Sequence, residues 1–246
     1  VPHEEPGATD NVLGGSGNKK RSPPMNPTPH LPDLHRRRIV RAALAAGAGA
    51  LLVPAQLLAR ERVLRATPAV ALGPFYPDRL PADQDADLTA VVGRQGRAAG
   101  QILYLSGRVL DTRGRPLPGA RLELWQANAH GRYIHSADGD ASGPLDPNFQ
   151  GYASLRSDDQ GRYRIKTVKP APYTGRTAHL HFNVEGGRVK LTTQMFFEGE
   201  RLNERDGLYR SLSREDRGAA TGRWAERSAH MEEKAVSAAW DIVLSA

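Results

Sequence analysis

The sequence predicts an all-β protein, an antiparallel β-sandwich whose long loops form its site, preceded by a disordered N-terminal export segment. Three observations carry this. Aromatics are 6% and hydrophobics 39% of 246 residues, with 25 Gly and 18 Pro, a profile that suits a loop-rich β protein better than a helical bundle. From about residue 100, short β-rich runs alternate with turn clusters and no helical period intervenes. Ahead of residue 60, a basic stretch runs into an Ala/Leu-rich segment of a different character.

The chain divides into a disordered leader at 1–24, a signal peptide at 25–59 and a folded domain at 60–246. The leader is Pro, Gly and polar residues without an apolar period. Arg36-Arg37-Arg38-Ile39-Val40-Arg41 precedes 17 residues, 42–58, dominated by Ala and Leu and interrupted by Pro54 and Gln56. A spanning helix needs about 20 apolar residues, so no stable membrane span is expected. The basic region, modest apolar run and small residues at Ala55 or Ala59 fit a cleaved signal. The arginine pair resembles the twin-arginine export signal, which implies the twin-arginine translocon as partner and a periplasmic or extracellular destination. That route carries folded proteins, often with cofactor in place.

Within the domain, strands are expected at 101–110, 120–126, 152–156 and 161–168, the last two flanking a hairpin loop at 157–160. Further strands fall at 177–184 and 189–197, around Glu185-Gly186-Gly187. Segment 206–234 is charged and reads as helical or irregular. Residues 238–244 read as a closing strand with Trp240, Ile242 and Leu244 on one face.

The absence of cysteine excludes disulfides, thiolate zinc sites, iron–sulfur clusters and cysteine nucleophiles. The formal charge of +7 first suggests nucleic acid. Residues 60–246, however, hold 27 basic and 23 acidic side chains, an ordinary surface, so no nucleic-acid partner is expected.

His179-Leu180-His181 is the first chemical signal. On a strand, residues i and i+2 share a face, so both imidazoles enter one pocket and can share a metal; a surface or core pair reads the same way. Arg176, just upstream, can serve an anionic intermediate or a surface ion pair. Tyr133 ends the run 125–133. Tyr173 ends Lys169-Pro170-Ala171-Pro172-Tyr173, where two prolines fix an extended turn.

These segments join Gly73-Pro74-Phe75-Tyr76-Pro77, Leu145-Asp146-Pro147-Asn148-Phe149 and 194–199 in one ordered series. From about Thr67 onward the chain resembles the intradiol ring-cleavage dioxygenases, particularly a protocatechuate 3,4-dioxygenase-like, exported single-chain branch. The resemblance implies Fe(III) held by Tyr133, Tyr173, His179 and His181. Phenolate oxygen and imidazole suit a hard, highly charged ion. The resemblance also implies cleavage of catechol-type rings by O2 between the hydroxylated carbons, giving muconate-type diacids. Tyr173 would leave the metal and act as a base, while Arg176 and Gln194 stabilise the electron-rich ring. Gly73, Pro74, Trp125 and Tyr76 match the substrate-covering turn and pocket.

His135 is not a ligand position of the family. His130 and His230 read as solvated, Tyr152 and Tyr163 as packing. Only 174–178 separate Tyr173 from His179, where two-subunit members carry a longer loop. A more open pocket follows, one that admits catechol and bulky 4-substituted catechols alike. Oligomerisation stays open. Two other readings compete: an exported transthyretin-like β-sandwich binding module without catalytic metal, and a copper or zinc site in which the tyrosines are spectators.

Replacing Arg36 and Arg37 together by Lys should strand the precursor in the cytoplasm. Fractionation showing unchanged export would assign the basic run another role.

Overall fold

The computed structural model describes residues 63–139 and 143–245. The leader at 1–24 and the signal segment at 25–59 lie outside the described residues. Nine strands follow in chain order: β1 Ile102–Asp111, β2 Arg121–Trp125, β3 Tyr152–Arg156, β4 Arg162–Val168, β5 His179–Gly186, β6 Val189–Phe197, β7 Thr221–Ala225, β8 Val236–Ala239 and β9 Ile242–Leu244. Two short helices, α1 Gly207–Ser211 and α2 Arg214–Ala219, stand between β6 and β7. Among the described residues no helix is long and apolar enough to cross a membrane.

Alternation is clearest in one strand. In β4, Tyr163 and Ile165 are buried while Arg162 and Arg164 are exposed, as a half-buried strand requires. Hydrogen bonding runs β3-β2-β5-β6-β7-β8-β1-β4, with β9 also beside β1. Residues from both ends of this path share one core, including Leu105, Tyr163 and Ile165 with Leu122, Phe182 and Val184. The Tyr163 and Phe182 rings meet with centroids 6.5 Å apart, so the ends of the path lie face to face.

The all-β class stands, but the sheet is mixed rather than wholly antiparallel. β6 and β7, β1 and β8, and β1 and β9 pair in parallel. Parallel neighbours need a crossover of about a dozen residues or more. Residues 198–220, with α1 and α2, supply it between β6 and β7. Segment 157–160 is also not a hairpin loop. β3 pairs with β2 and β4 with β1, so this turn carries the chain between opposite ends of the path.

The charged stretch after 206, expected to be partly helical or irregular, holds both helices but also contains β7; its Trp224 ring stacks on Phe197 at 5.5 Å. The closing strand is split into β8 and β9 by Trp240 and Asp241. There the Trp240 N–H donates to the Ser106 carbonyl at 2.9 Å, and the Trp240 carbonyl accepts from the Tyr163 hydroxyl at 2.7 Å. Trp240, Ile242 and Leu244 all enter the core, as the sequence suggests.

Gly107 makes that crossing fit. A Cβ at this position would lie 1.7 Å from the Trp240 carbonyl oxygen and 2.9 Å from the Tyr163 ring. Gly107→Ala should therefore cost about 3 kcal/mol or more, the upper end of overpacking penalties, because a main-chain atom must move. Urea unfolding with no loss of midpoint would refute this packing account.

Candidate metal centre and active site

The site grows out of strand register. Trp125 at the end of β2 lies opposite His181 of β5, which lies opposite Gln194 of β6. Leu180, Phe182 and Val184 of β5 fill the core, so His179 and His181 take the other face. The Trp125 ring stacks on His181 with centroids 5.0 Å apart and planes 15° from parallel.

Two loops bring the tyrosines. After β2, the Asn128 side-chain oxygen accepts the N–H groups of His130 and Arg132 at 2.8 and 3.0 Å, turning the chain at Gly131, whose φ is 82°. Tyr133 follows, its N–H donating to Asp138 Oδ2 at 2.6 Å. The Asn128 carbonyl also accepts from Ala171 N at 3.2 Å, joining this loop to the one that carries Tyr173. In the second loop Arg176 N donates to the Tyr173 carbonyl at 2.8 Å, and Gly175 at φ 77° completes the turn.

Four donor atoms converge. Tyr133 Oη lies 2.9 Å from His181 Nε2 and 3.4 Å from His179 Nε2. Tyr173 Oη lies 3.4 Å from His179 Nε2, and the two Nε2 atoms are 3.1 Å apart. Bonds of about 2.0–2.1 Å to one metal, at angles near 90–110°, put donor atoms roughly 2.8–3.4 Å apart. The His179 Nδ1 faces the Thr177 carbonyl at 2.6 Å. That bond fixes the tautomer with Nε2 as the lone-pair nitrogen, the usual orienting contact of a metal-binding histidine. Among the described residues no three His, Cys, Asp or Glu side chains gather as metal ligands; beside the two histidines stand two tyrosines.

A charged support borders the cluster. Arg176 Nε donates to Asp206 Oδ2 at 2.8 Å, and its NH2 donates to Gln194 Oε1 at 2.6 Å. Its NH1 faces the Tyr173 hydroxyl at 3.5 Å. Gln194 Nε2 in turn donates to the Ala71 carbonyl at 2.7 Å, beside the Gly73-Pro74 turn. A Cβ on Gly73, whose φ is 78°, would stand 3.1 Å from His181 Cε1. Glycine lets this segment lie against the imidazole.

The family model for dioxygenases matches residues 71–246. The β chain of protocatechuate 3,4-dioxygenase from Burkholderia cepacia is 32% identical over 213 residues, covering 83% of this chain and 86% of that one. The chain belongs to the intradiol ring-cleavage dioxygenases. Hydroxyquinol 1,2-dioxygenase from Nocardioides simplex is 32% identical over 182 residues, but that match spans only 58% of its length. The dioxygenase domain of a carbohydrate-binding fusion from Streptomyces sp. SirexAA-E superposes with a TM-score of 0.56 at 25% identity, covering 74% of this chain and 99% of that one.

In this dioxygenase the electrostatics keep the four converging groups neutral. Burial pushes His179 down to about 4, with the Arg176 charge adding to the shift. Burial also drives His181 well below its ordinary value, reinforced by His179 and Arg176. Burial raises both phenols, Tyr133 the more strongly. A cation bound through these oxygens would have to displace the phenolic protons. Burial opposes ionisation of Asp206, but the Thr177 N–H and the Arg176 guanidinium outweigh it and hold the carboxyl below the usual range.

Tyr133, Tyr173, His179, His181, Arg176 and Gln194 thus stand together, with Gly73 against them. Two residues matched to the substrate pocket face elsewhere. Trp125 is buried behind His181, and the Tyr76 hydroxyl points to Glu123 Oε2 at 3.1 Å. His130 and His230 are exposed, and His135 packs edge-on against Phe75 at 5.7 Å, outside the four converging atoms. Phe75, stacked on Tyr133 at 4.8 Å, and Asn128, Asp138 and Asp206 were not singled out from sequence. Phe75 and Asn128 sit inside matched pieces, Gly73–Pro77 and 125–133, while Asp138 and Asp206 lie outside every one of them.

Below pH 6.5 the unfolded metal-free chain protonates the residues at 179 and 181 before the native state does, because burial holds His179 and His181 neutral, so stability should fall from pH 6.5 to about 4. His179 alone contributes on the order of 3 kcal/mol to that slope. The Asp206 contribution is present above about 3.8 and disappears only as the pH falls further. Urea titrations of the metal-free protein that give a flat profile between pH 7 and 5 would contradict the neutral, buried assignment.

Proposed function

We propose that Tyr133, Tyr173, His179 and His181 hold Fe(III), and that the centre they form opens catechol-type rings between the two hydroxylated carbons. Both atoms of O2 enter the product, a muconate-type diacid. The observation that carries this is the convergence of two phenol oxygens and two imidazole Nε2 atoms within 2.9–3.4 Å contacts, in a chain of the intradiol family. Ferric iron, when bound, supplies a Lewis acid that withdraws electron density from the catecholate and makes its ring carbon reactive toward dioxygen.

The chain's own residues divide the remaining work. Tyr133 is buried, stacked on Phe75 and tied through its N–H to Asp138, which suits a ligand that stays. Tyr173 is less enclosed and sits on a turn between exposed Thr174 and Pro172, which suits a phenolate that swings aside and takes a catechol proton on Oη. Arg176, held by Asp206 and Gln194, offers its remaining guanidinium edge to negative charge on the ring. Gly73 and Pro74 cover the substrate, and Trp125 backs the imidazole. The short 174–178 connection supports an open pocket that accepts 4-substituted catechols. Contact between Tyr163 and Phe182 supports a β-sandwich as the scaffold, and the arginine pair at Arg36 and Arg37 supports export.

The purified protein should be burgundy to red with near-stoichiometric iron, from tyrosinate-to-ferric charge transfer, and should take up O2 with catechol. A colourless active protein carrying zinc or copper would sink this reading.

The ligands should separate on mutation. Tyr133→Phe should lose iron and colour together, because a permanent anionic ligand is gone. Tyr173→Phe should keep more iron yet slow catechol binding and alter its pH dependence. Arg176→Ala should keep iron and colour while turnover drops about 100-fold or more, the scale of losing one charge-stabilising donor. Iron analysis paired with single-turnover oxygen uptake checks all three; an Arg176→Ala protein that loses its iron would overturn the assignment.

A further inference from the structure

Asp206 lies outside every motif that the sequence singles out, yet its carboxylate is fully buried beside the site. Oδ1 accepts from Leu208 N at 2.9 Å and Tyr209 N at 3.2 Å, capping α1. Oδ2 accepts from Arg176 Nε at 2.8 Å and from Thr177 N at 2.9 Å. Thr177 is the residue whose carbonyl meets His179 Nδ1. One carboxylate oxygen therefore anchors both an edge of the guanidinium and the main chain that orients an imidazole. Gln194 takes NH2 of the same guanidinium, so two of its three nitrogens are fixed and NH1 is left facing Tyr173.

We propose that Asp206 is a positioning residue for ring cleavage, setting the plane of Arg176 and, through Thr177, the orientation of His179. The inference rests on the proposed function of the site. A helix cap alone needs one neutral oxygen, and Asn or Ser caps as well as Asp. The second oxygen makes the charge-assisted bond, and only that oxygen reaches the site. Asp206→Asn separates the two tasks. It keeps an oxygen for the cap and sets an amide against donors that need an acceptor.

The test uses the iron-loaded protein and a double-mutant cycle between Asp206→Asn and Arg176→Met, with 4-nitrocatechol as a coloured probe of binding. Iron retention against a chelator and thermal melting are followed for each variant. Asp206→Asn should weaken 4-nitrocatechol binding and catechol turnover by about 10-fold or more, the scale of losing a supporting contact at a metal site. Per bound iron, the same change in the Arg176→Met background should add no more than about two-fold to binding and turnover, the route through Thr177 being read in iron retention. Iron retention should fall in Asp206→Asn but hold in Arg176→Met, because the route to His179 bypasses the guanidinium.

Effects on binding and turnover that multiply independently would overturn the proposal. So would an Asp206→Asn protein with wild-type binding, turnover and iron retention. Should that variant fail to fold, Asp206→Ser, which also caps a helix but is too short to hold Arg176, takes its place in the cycle with the same expectations. A wild type that binds 4-nitrocatechol but cleaves no catechol would defeat the ring-cleavage reading, while the cycle in binding would still judge Asp206.

Discussion

The pairing of β2, β5 and β6 is the constraint on which the site depends. Because Trp125, His181 and Gln194 lie opposite one another, an aromatic wall, a metal-type ligand and the partner of Arg176 share one sheet face. A one-residue slip of β5 would turn both imidazoles into the core and expose Leu180 and Phe182. Hydrophobic burial on one side of the strand thereby enforces chemistry on the other. Leu180, Phe182 and Val184 are fully buried, so register is specified by the strongest term in folding.

The tyrosines depend on that strand without belonging to it. Their loops are held by polar contacts: Asn128 folds the first, the Tyr173–Arg176 turn closes the second, and the Asn128 carbonyl links the two through Ala171. Asp138 fixes the main chain at Tyr133. The division is physically sensible. A rigid sheet sets the histidines, while loops allow one phenol to be enclosed and the other to sit near solvent.

Much of this was legible in the sequence because it is local. Short β-rich runs between turn clusters pointed to β1 to β6, and the two histidines share a face by strand geometry alone. The quoted pieces also pointed to Tyr133 and Tyr173 through their resemblance to the family. What was not legible depends on long-range pairing. Turn chemistry at 157–160 looks like a hairpin, but pairing partners are chosen by packing across the core. β7 is short, polar and carries Gly222, so it has no alternation to read. β8 and β9 separate because Trp240 must cross over Gly107. Asp206 was invisible as part of the site, since its partners at 176 and 177 are thirty residues away.

Gln194 joins two parts of the site. Its oxygen holds Arg176 and its nitrogen holds the Ala71 carbonyl, just ahead of the turn laid against His181. In the proposed function, where Gly73 and Pro74 cover the substrate, the roof of the pocket and its cationic group share one amide. Changes that enlarge the roof for a bulkier ring will pull on the same side chain that steadies the guanidinium. On that reading, divergence toward new substrates would have a coupled trajectory: altered size selectivity would arrive with altered rate, unless residue 194 changed in step.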